Sequence, residues 1–311
     1  MKSTFKSTIN QFLANQSILI VDIGAKGALC RLIGLEELSE KHGFEPNLIE
    51  FNRLQKTEDG IVKLFPTAVA QTDGRRTFYM ARSSSYSSFL RPDIEEFSKH
   101  FGRMKDFPKW KNKIETIGKT VVPCRSLDSI YGESGEIISL LKLDTQGTEL
   151  EIIRGAERLL KEKRILAIKT EFLFQRVYKD QCVFTDLETL LKTFGFMLVS
   201  CEFYPDGLET RSIVGFDKPR IGAGGDAIFV LAEPLEKERL KTSLVLGSLG
   251  YLSEMDHMLQ KISMINQLER ESLLVHFSKL HNQYSLKQIV RQLVPPILFN
   301  LLKRVRLPES I

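Results

Sequence analysis

The 311-residue chain reads as an α/β protein, doubly wound around a mostly parallel sheet. Three observations predict this. Short apolar runs suited to strands buried on both faces alternate with helix-period segments through residue 232. Two of those runs end in acidic and glycine residues, Val21-Asp22-Ile23-Gly24-Ala25-Lys26-Gly27 and Lys142-Leu143-Asp144-Thr145-Gln146-Gly147-Thr148-Glu149. Strand ends of this kind are where open α/β sheets bind ligands. Beyond Pro234 strand signals stop and helical spacing takes over, which predicts a helical C-terminal extension (235–311) on a domain spanning 1–234.

The elements follow in order. Residues 18–21 form the first strand. Leu29, Leu32, Ile33 and Leu38 predict a helix ending near Gly43, with Asn47-Leu48-Ile49-Glu50-Phe51 as the second strand. Apolar residues at 64–70 and 77–80 flank Asp73-Gly74, a hairpin signal. Residues 84–118 break the rhythm with a serine-rich run and the aromatics Phe101, Phe107 and Trp110, which predicts a lid or substrate-facing insertion. Residues 138–143 and 165–168 read as buried strands. Between them Thr148 is placed as N-cap of one helix carrying Leu150, Ile153, Ala156, Leu159 and Leu160 on a single face. Thr185 and Glu188 read as a capping box for a helix stopped by Gly195. Residues 196–199 and 227–230 close the sheet as a strand pair.

Composition narrows the function classes. A net charge of +5 without a basic stripe argues against a nucleic-acid partner. Four cysteines without a CxxC pair argue against a disulfide framework or a zinc ribbon. Five dispersed histidines predict no histidine-based metal site. No apolar stretch has the length of a signal-peptide core or a membrane span, so a cytoplasmic location is expected. Residues 235–311 hold 11 Lys and Arg against 7 Asp and Glu, and so carry +4 of the net charge. Within them, 295–306 puts Ile297, Leu298, Leu301, Leu302 and Val305 on one helix face and Lys303, Arg304 and Arg306 at its end. That pattern suits peripheral contact with an anionic inner membrane face, or packing on the domain or on a second copy in a homo-oligomer.

The first motif, Asp22-x-Gly24-Ala25-x-Gly27, lets the backbone pass close to a ligand. Its spacing is not the GxGxxG of dinucleotide folds. A short loop without a pyrophosphate cradle suits S-adenosylmethionine, with loop amides for its carboxylate and Asp22 for its ammonium. Glu50, 28 residues beyond Asp22, is placed to accept the ribose hydroxyls. The same acid would serve NAD, so an NAD-dependent oxidoreductase stays open as an alternative.

The second motif, LKLDTQGTELEIIRGA over residues 141–156, resembles the signature of FkbM-family methyltransferases. Lys142, Asp144, Gly147, Glu149, Leu150, Gly155 and Ala156 match it, and Gln146 stands where many members have Glu. Residues 21–25, Glu50, 68–74, Ser87-Ser88, Ser126-Leu127-Asp128, Glu171 and Gly195-Phe196 follow in the family's order, over roughly residues 18–232. The resemblance implies a class I methyltransferase fold, a seven-stranded Rossmann-like sheet using S-adenosylmethionine. It also implies an acceptor hydroxyl on a small molecule, a sugar or a glycan. On this reading Asp22, Gly24, Ala25, Gly27, Glu50 and Ser88 contact the cofactor. Asp144 is the first candidate to take the acceptor's proton and Glu171 the second. Lys142 shares a strand face with Asp144 and either orients that base or forms a buried ion pair with Asp144 or Glu171. Lys26 stands where the family usually has Asn. With Gln146, it keeps open an alternative of another class, a catalytically inactive methyltransferase-like binding module.

Overall fold

The computed structural model describes residues 9, 13, 16–102, 107–203 and 224–293. The strands are β1 (Ile18–Ile23), β2 (Ser39–Phe44), β3 (Ile61–Phe65), β4 (Ala68–Val69), β5 (Gly74–Ala81), β6 (Thr116–Arg125), β7 (Ile138–Leu143), β8 (Ala167–Leu173), β9 (Phe196–Phe203) and β10 (Gly224–Leu231). The helices are α1 (Leu48–Thr57), α2 (Ile94–Phe101), α3 (Phe107–Ile114), α4 (Leu127–Tyr131), α5 (Glu149–Arg154), α6 (Glu157–Lys161), α7 (Phe184–Thr193), α8 (Arg239–Leu249), α9 (Leu252–Leu259) and α10 (Gln267–Leu293).

A seven-stranded sheet runs in the order β3-β2-β1-β7-β8-β10-β9. All its pairings are parallel except those of β10, which is antiparallel to both β8 and β9. The strand order reverses between β1 and β7, so the connections leaving these neighbours diverge and open a crevice at their carboxyl ends. The α/β, doubly wound, mostly parallel sheet is therefore as the sequence predicts.

Alternation along β1 sorts the core into two layers. Leu19, Val21 and Ile23 pack with Leu141, Leu143, Ile153, Leu159 and Leu191 on one side. Ile18 and Ile20 pack with Leu140, Ile228, Val230, Leu244, Val245, Met255 and Phe277 on the other. The second layer depends on residues beyond Pro234. Residues 24–38, linking β1 to β2, form no α-helix, only a 3-10 turn at Glu36–Leu38. That crossover leaves sheet surface that α8, α9 and α10 cover. The change of pattern at 234 marks a change of element type rather than a break in the core. Phe277 is fully buried, and a Cβ added at Gly247 would lie 2.8 Å from its ring. Phe277→Ala is expected to cost about 3–5 kcal/mol, read as a lowered midpoint in chemical denaturation.

Five local expectations are corrected. Residues 39–44 are strand β2, not the end of a helix, and 48–57 are helix α1, not a strand. Asn47 caps that helix, its side chain accepting from the Ile49 N–H. β4 and β5 do not pair as a hairpin: β6 lies between them, parallel to β4 and antiparallel to β5. The helix expected from Thr148 through Leu160 is two short helices, α5 and α6. They break at Gly155, where an added Cβ would lie 2.5 Å from the Ala70 carbonyl oxygen. Helix α7 begins after Val183, whose N–H donates to Asp186, so the Thr185–Glu188 capping box does not form.

The described residues of 84–118 form a short 3-10 turn, α2, α3 and the start of β6, and Phe97 and Phe101 from them share an apolar cluster with Val177 and Tyr178. Among the described residues, no helix is long and apolar enough to cross a membrane. The 295–306 segment lies outside the described residues.

Candidate active site

A cavity of about 390 Å³ opens at the carboxyl ends of β1, β2, β7 and β8. Ile23, Gly24, Phe44, Glu45, Asp144 and Glu171 come from the strand ends. The insertion contributes the facing wall through Ser84, Ser85, Tyr86, Ser87 and Phe89.

Gly24 sets how closely the two signature strands meet. Its φ is +80°, and an added Cβ would lie 2.0 Å from the Asp144 carbonyl oxygen, so only glycine fits. The loop's amides are turned inward. The Gly24 and Ala25 N–H groups both donate to the Phe44 carbonyl (3.1 and 3.3 Å), and the Lys26 N–H donates to the Gly24 carbonyl (2.8 Å). These three amides therefore do not present the anion-binding groups expected of them.

Asp22 is fully buried and lies outside the cavity wall. Strand alternation puts it on the Ile18 and Ile20 side of β1. One of its oxygens accepts from the Cys30 N–H (2.6 Å) and the other from the Lys142 ammonium (3.0 Å). Ala25 and Gly27 are also absent from the wall, Ala25 being packed with Leu29 and Leu54. The buried Ser88 hydroxyl donates to the Gln146 carbonyl (2.9 Å) and accepts from the Leu90 N–H (3.0 Å), tying the insertion to the β7 loop instead of facing the cavity. Of the six expected cofactor contacts, Gly24 and Glu50 line the cavity.

Glu50 sits in the first turn of α1, not at a strand end. Its carboxylate pairs with Arg53 (2.8 Å) and accepts from the Ser84 hydroxyl (3.2 Å). The acid that directly follows β2 is Glu45, which the sequence reading missed. It is buried on the cavity wall, and its Oε1 accepts from the Asn47 N–H (2.7 Å). Burial pushes its carboxyl up to about 7; the Asn47 N–H and Lys26 oppose that shift and Glu50 adds to it. The signal for it is Phe44-Glu45-Pro46-Asn47, an acid between a strand end and a capping Asn.

At the β7 end the expected carboxylates do come together. Gln146 has φ +58° and its side-chain NH₂ bridges them, donating to Asp144 (3.1 Å) and to Glu171 (2.6 Å). Lys142 does not reach the wall. It pairs with Asp22 at 3.0 Å and stands 3.6 Å from Asp144, so its partners are these two and not Glu171. Burial would lower the Lys142 ammonium, but the two carboxylates outweigh it and hold the group above the usual lysine range. Burial likewise raises Asp22, opposed by Lys142 and the Cys30 N–H.

Glu149 holds the loop that presents Gln146. Its buried carboxylate accepts the N–H groups of Thr145 (2.8 Å) and Gly147 (3.0 Å) and the Thr145 hydroxyl (3.0 Å). Tyr178, also missed from the sequence, brings its hydroxyl to 3.0 Å from the Tyr86 carbonyl and 3.4 Å from Gln146 Oε1. Asp226 pairs with Lys169 (3.0 Å) away from the wall. Among the described residues, no three His, Cys, Asp or Glu side chains group as metal ligands.

A doubly wound sheet whose β2-end acid, β1 glycine and β7-end carboxylate share one cavity has the site plan of an enzyme using a nucleoside cofactor. Residues 25–198 match the methyltransferase FkbM domain, and the chain belongs to that family, whose methyl donor is S-adenosylmethionine. The chain is 25% identical over 198 residues to the 2-O-methyltransferase NoeI of Sinorhizobium fredii (strain NBRC 101917 / NGR234), covering 61% of this chain and 76% of that protein. Magnesium protoporphyrin IX methyltransferase (ChlM) from Synechocystis PCC 6803, solved with bound SAM, overlaps it with a TM-score of 0.35 at 11% identity, over 74% of this chain and 79% of that one.

Proposed function

We propose that the protein is an O-methyltransferase that acts on a hydroxyl of a sugar or glycan. The observation that carries this is the bridged pair Asp144–Gln146–Glu171, two carboxylates on the wall of the cavity at the sheet's carboxyl edge. The cavity's donor set suits that cofactor. Glu45 has one oxygen on the Asn47 N–H and is a candidate acceptor for ribose hydroxyls, and Gly24 lets the β1 and β7 ends meet at the cavity wall. When bound, S-adenosylmethionine supplies an electrophilic methyl group.

The protein's part is to position the acceptor and take its proton, because an alkyl hydroxyl is a weak nucleophile at neutral pH. Asp144 directly follows β7 on the cavity wall and is assigned as the base. Lys142 and Gln146 fix its two oxygens. Glu171 shares the Gln146 amide and is the alternate acceptor. Ser84, Ser85 and Ser87 offer hydroxyls, and Phe78, Tyr86 and Phe89 aromatic faces, a lining suited to a sugar ring. The relative's name specifies methylation at an oxygen, which supports a hydroxyl acceptor.

Glu45 gives a pH signature. Because its carboxyl is raised from 4.5 to about 7, the folded protein holds a proton there that the unfolded chain has shed. Its contribution to stability therefore falls as pH rises through that window. Cofactor affinity runs the other way, since ribose hydroxyls need the ionised carboxylate. Calorimetry with S-adenosylhomocysteine is expected to show tighter binding as pH rises through about 7, and Glu45→Gln to flatten that dependence.

Methyl-labelled S-adenosylmethionine and a panel of mono- and oligosaccharides test the activity directly. Label in a base-stable ether on one of them is the expected result. Cofactor binding with no transfer to any hydroxyl would instead favour the inactive binding module.

A further inference from the structure

We infer that Lys26 binds the carboxylate at the amino-acid end of the cofactor, taking the part that loop amides were expected to play. The inference rests on S-adenosylmethionine being the methyl donor. Three observations carry it. First, the amides of Gly24, Ala25 and Lys26 are already spent on the Phe44 and Gly24 carbonyls. Second, four carboxylates line the cavity, from Glu45, Glu50, Asp144 and Glu171, whereas Lys26 is the sole basic side chain on its wall among the described residues. An anionic group entering this cavity is repelled at every charged point except Lys26, while an ammonium or sulfonium is drawn to the acids. Third, the Lys26 ammonium rests on a neutral partner, the Ser85 hydroxyl at 2.6 Å, and no carboxylate among the described residues lies within 4.0 Å of it. A hydroxyl engages one of its three donors and brings no opposite charge into contact with it.

The placement also accounts for a residue that departs from the family's usual Asn. Lys26 springs from the turn directly after Gly24, beside the strand-end crevice, and touches Ser85 on the opposite wall. A carboxylate held there would sit between the two walls, so cofactor binding and seating of the insertion are coupled through one side chain.

The test compares two ligands by calorimetry. S-Adenosylhomocysteine carries the amino-acid end and 5′-methylthioadenosine lacks it. Lys26→Gln is expected to weaken S-adenosylhomocysteine binding by about 10- to 100-fold, the range of a charge-assisted hydrogen bond, and to leave 5′-methylthioadenosine binding unchanged. Lys26→Arg keeps the charge and is expected to recover much of the loss. Two outcomes overturn the inference: unchanged S-adenosylhomocysteine affinity in Lys26→Gln, as for a lysine that serves an anionic acceptor, or equal losses for both ligands, reproduced by Ser85→Ala, as for a purely structural latch. Failure of the unsubstituted protein to bind either ligand would remove the cofactor reading itself, and this inference with it.

Discussion

Asp144→Asn is expected to lower turnover by about 10²–10⁴-fold, the range of a lost general base, while S-adenosylhomocysteine still binds. Asparagine keeps the shape and can still meet the Gln146 amide through its oxygen, but it cannot take a proton. The neighbouring charges make the substitution informative. Lys142 is held by Asp22 at 3.0 Å as well as standing 3.6 Å from Asp144, so it keeps a carboxylate partner in the variant. Structural damage is therefore small, and turnover is the property that falls. Stopped assays with labelled cofactor measure turnover, and calorimetry on the same preparation measures binding. Loss of both together would mean that Asp144 holds the cofactor rather than the acceptor's proton. If Glu171→Gln carried the large loss in turnover and Asp144→Asn did not, the base would be Glu171.

The second large effect separates two acids that sequence spacing alone cannot rank. Glu45→Ala is expected to weaken S-adenosylhomocysteine by about 10²–10³-fold, from the loss of two hydroxyl hydrogen bonds to one carboxylate. Glu50→Ala is expected to cost less than about tenfold, because what it removes is chiefly a pair with the half-exposed Arg53. The reverse order would return the ribose role to Glu50, with Glu45 then a buried acid that shapes the turn before α1.

How this site reads in the sequence depends on what each residue needs from its neighbours. β1, β7 and β8 are apolar because helices cover both faces of the sheet, and their ends can be placed from composition alone. β2, one strand in from the sheet edge, is nearly as buried but reads Ser39-Glu40-Lys41-His42-Gly43-Phe44. Its polar groups are satisfied largely from outside the strand: Lys41 by Glu58 at 2.8 Å, and His42 by Tyr131 at 2.7 Å as well as by the neighbouring Glu40 at 3.0 Å. Without those partners in view the segment does not look like a buried strand. The apolar run at 47–51 reads as the strand instead, which directs attention to Glu50 and passes over Glu45. Gly24 was legible because close backbone approach has one chemical answer. The inward turn of the loop amides was not, since their acceptor is a carbonyl at the end of β2. Asp144 and Glu171 were legible as strand-end acids. Their bridge was not, because it requires Gln146 at φ +58° and the adjacency of β7 and β8.

The helices that cover the Ile18 and Ile20 side of the sheet are the last described elements of the chain. A ribosome delivers the strands before residues 239–277. Until then β1 and β7 present Ile18, Ile20 and Leu140 to water, the kind of surface that chaperones hold and that aggregates when they do not. A chain ending near residue 234 would carry its family signature intact on a sheet stripped of the α8–α10 layer.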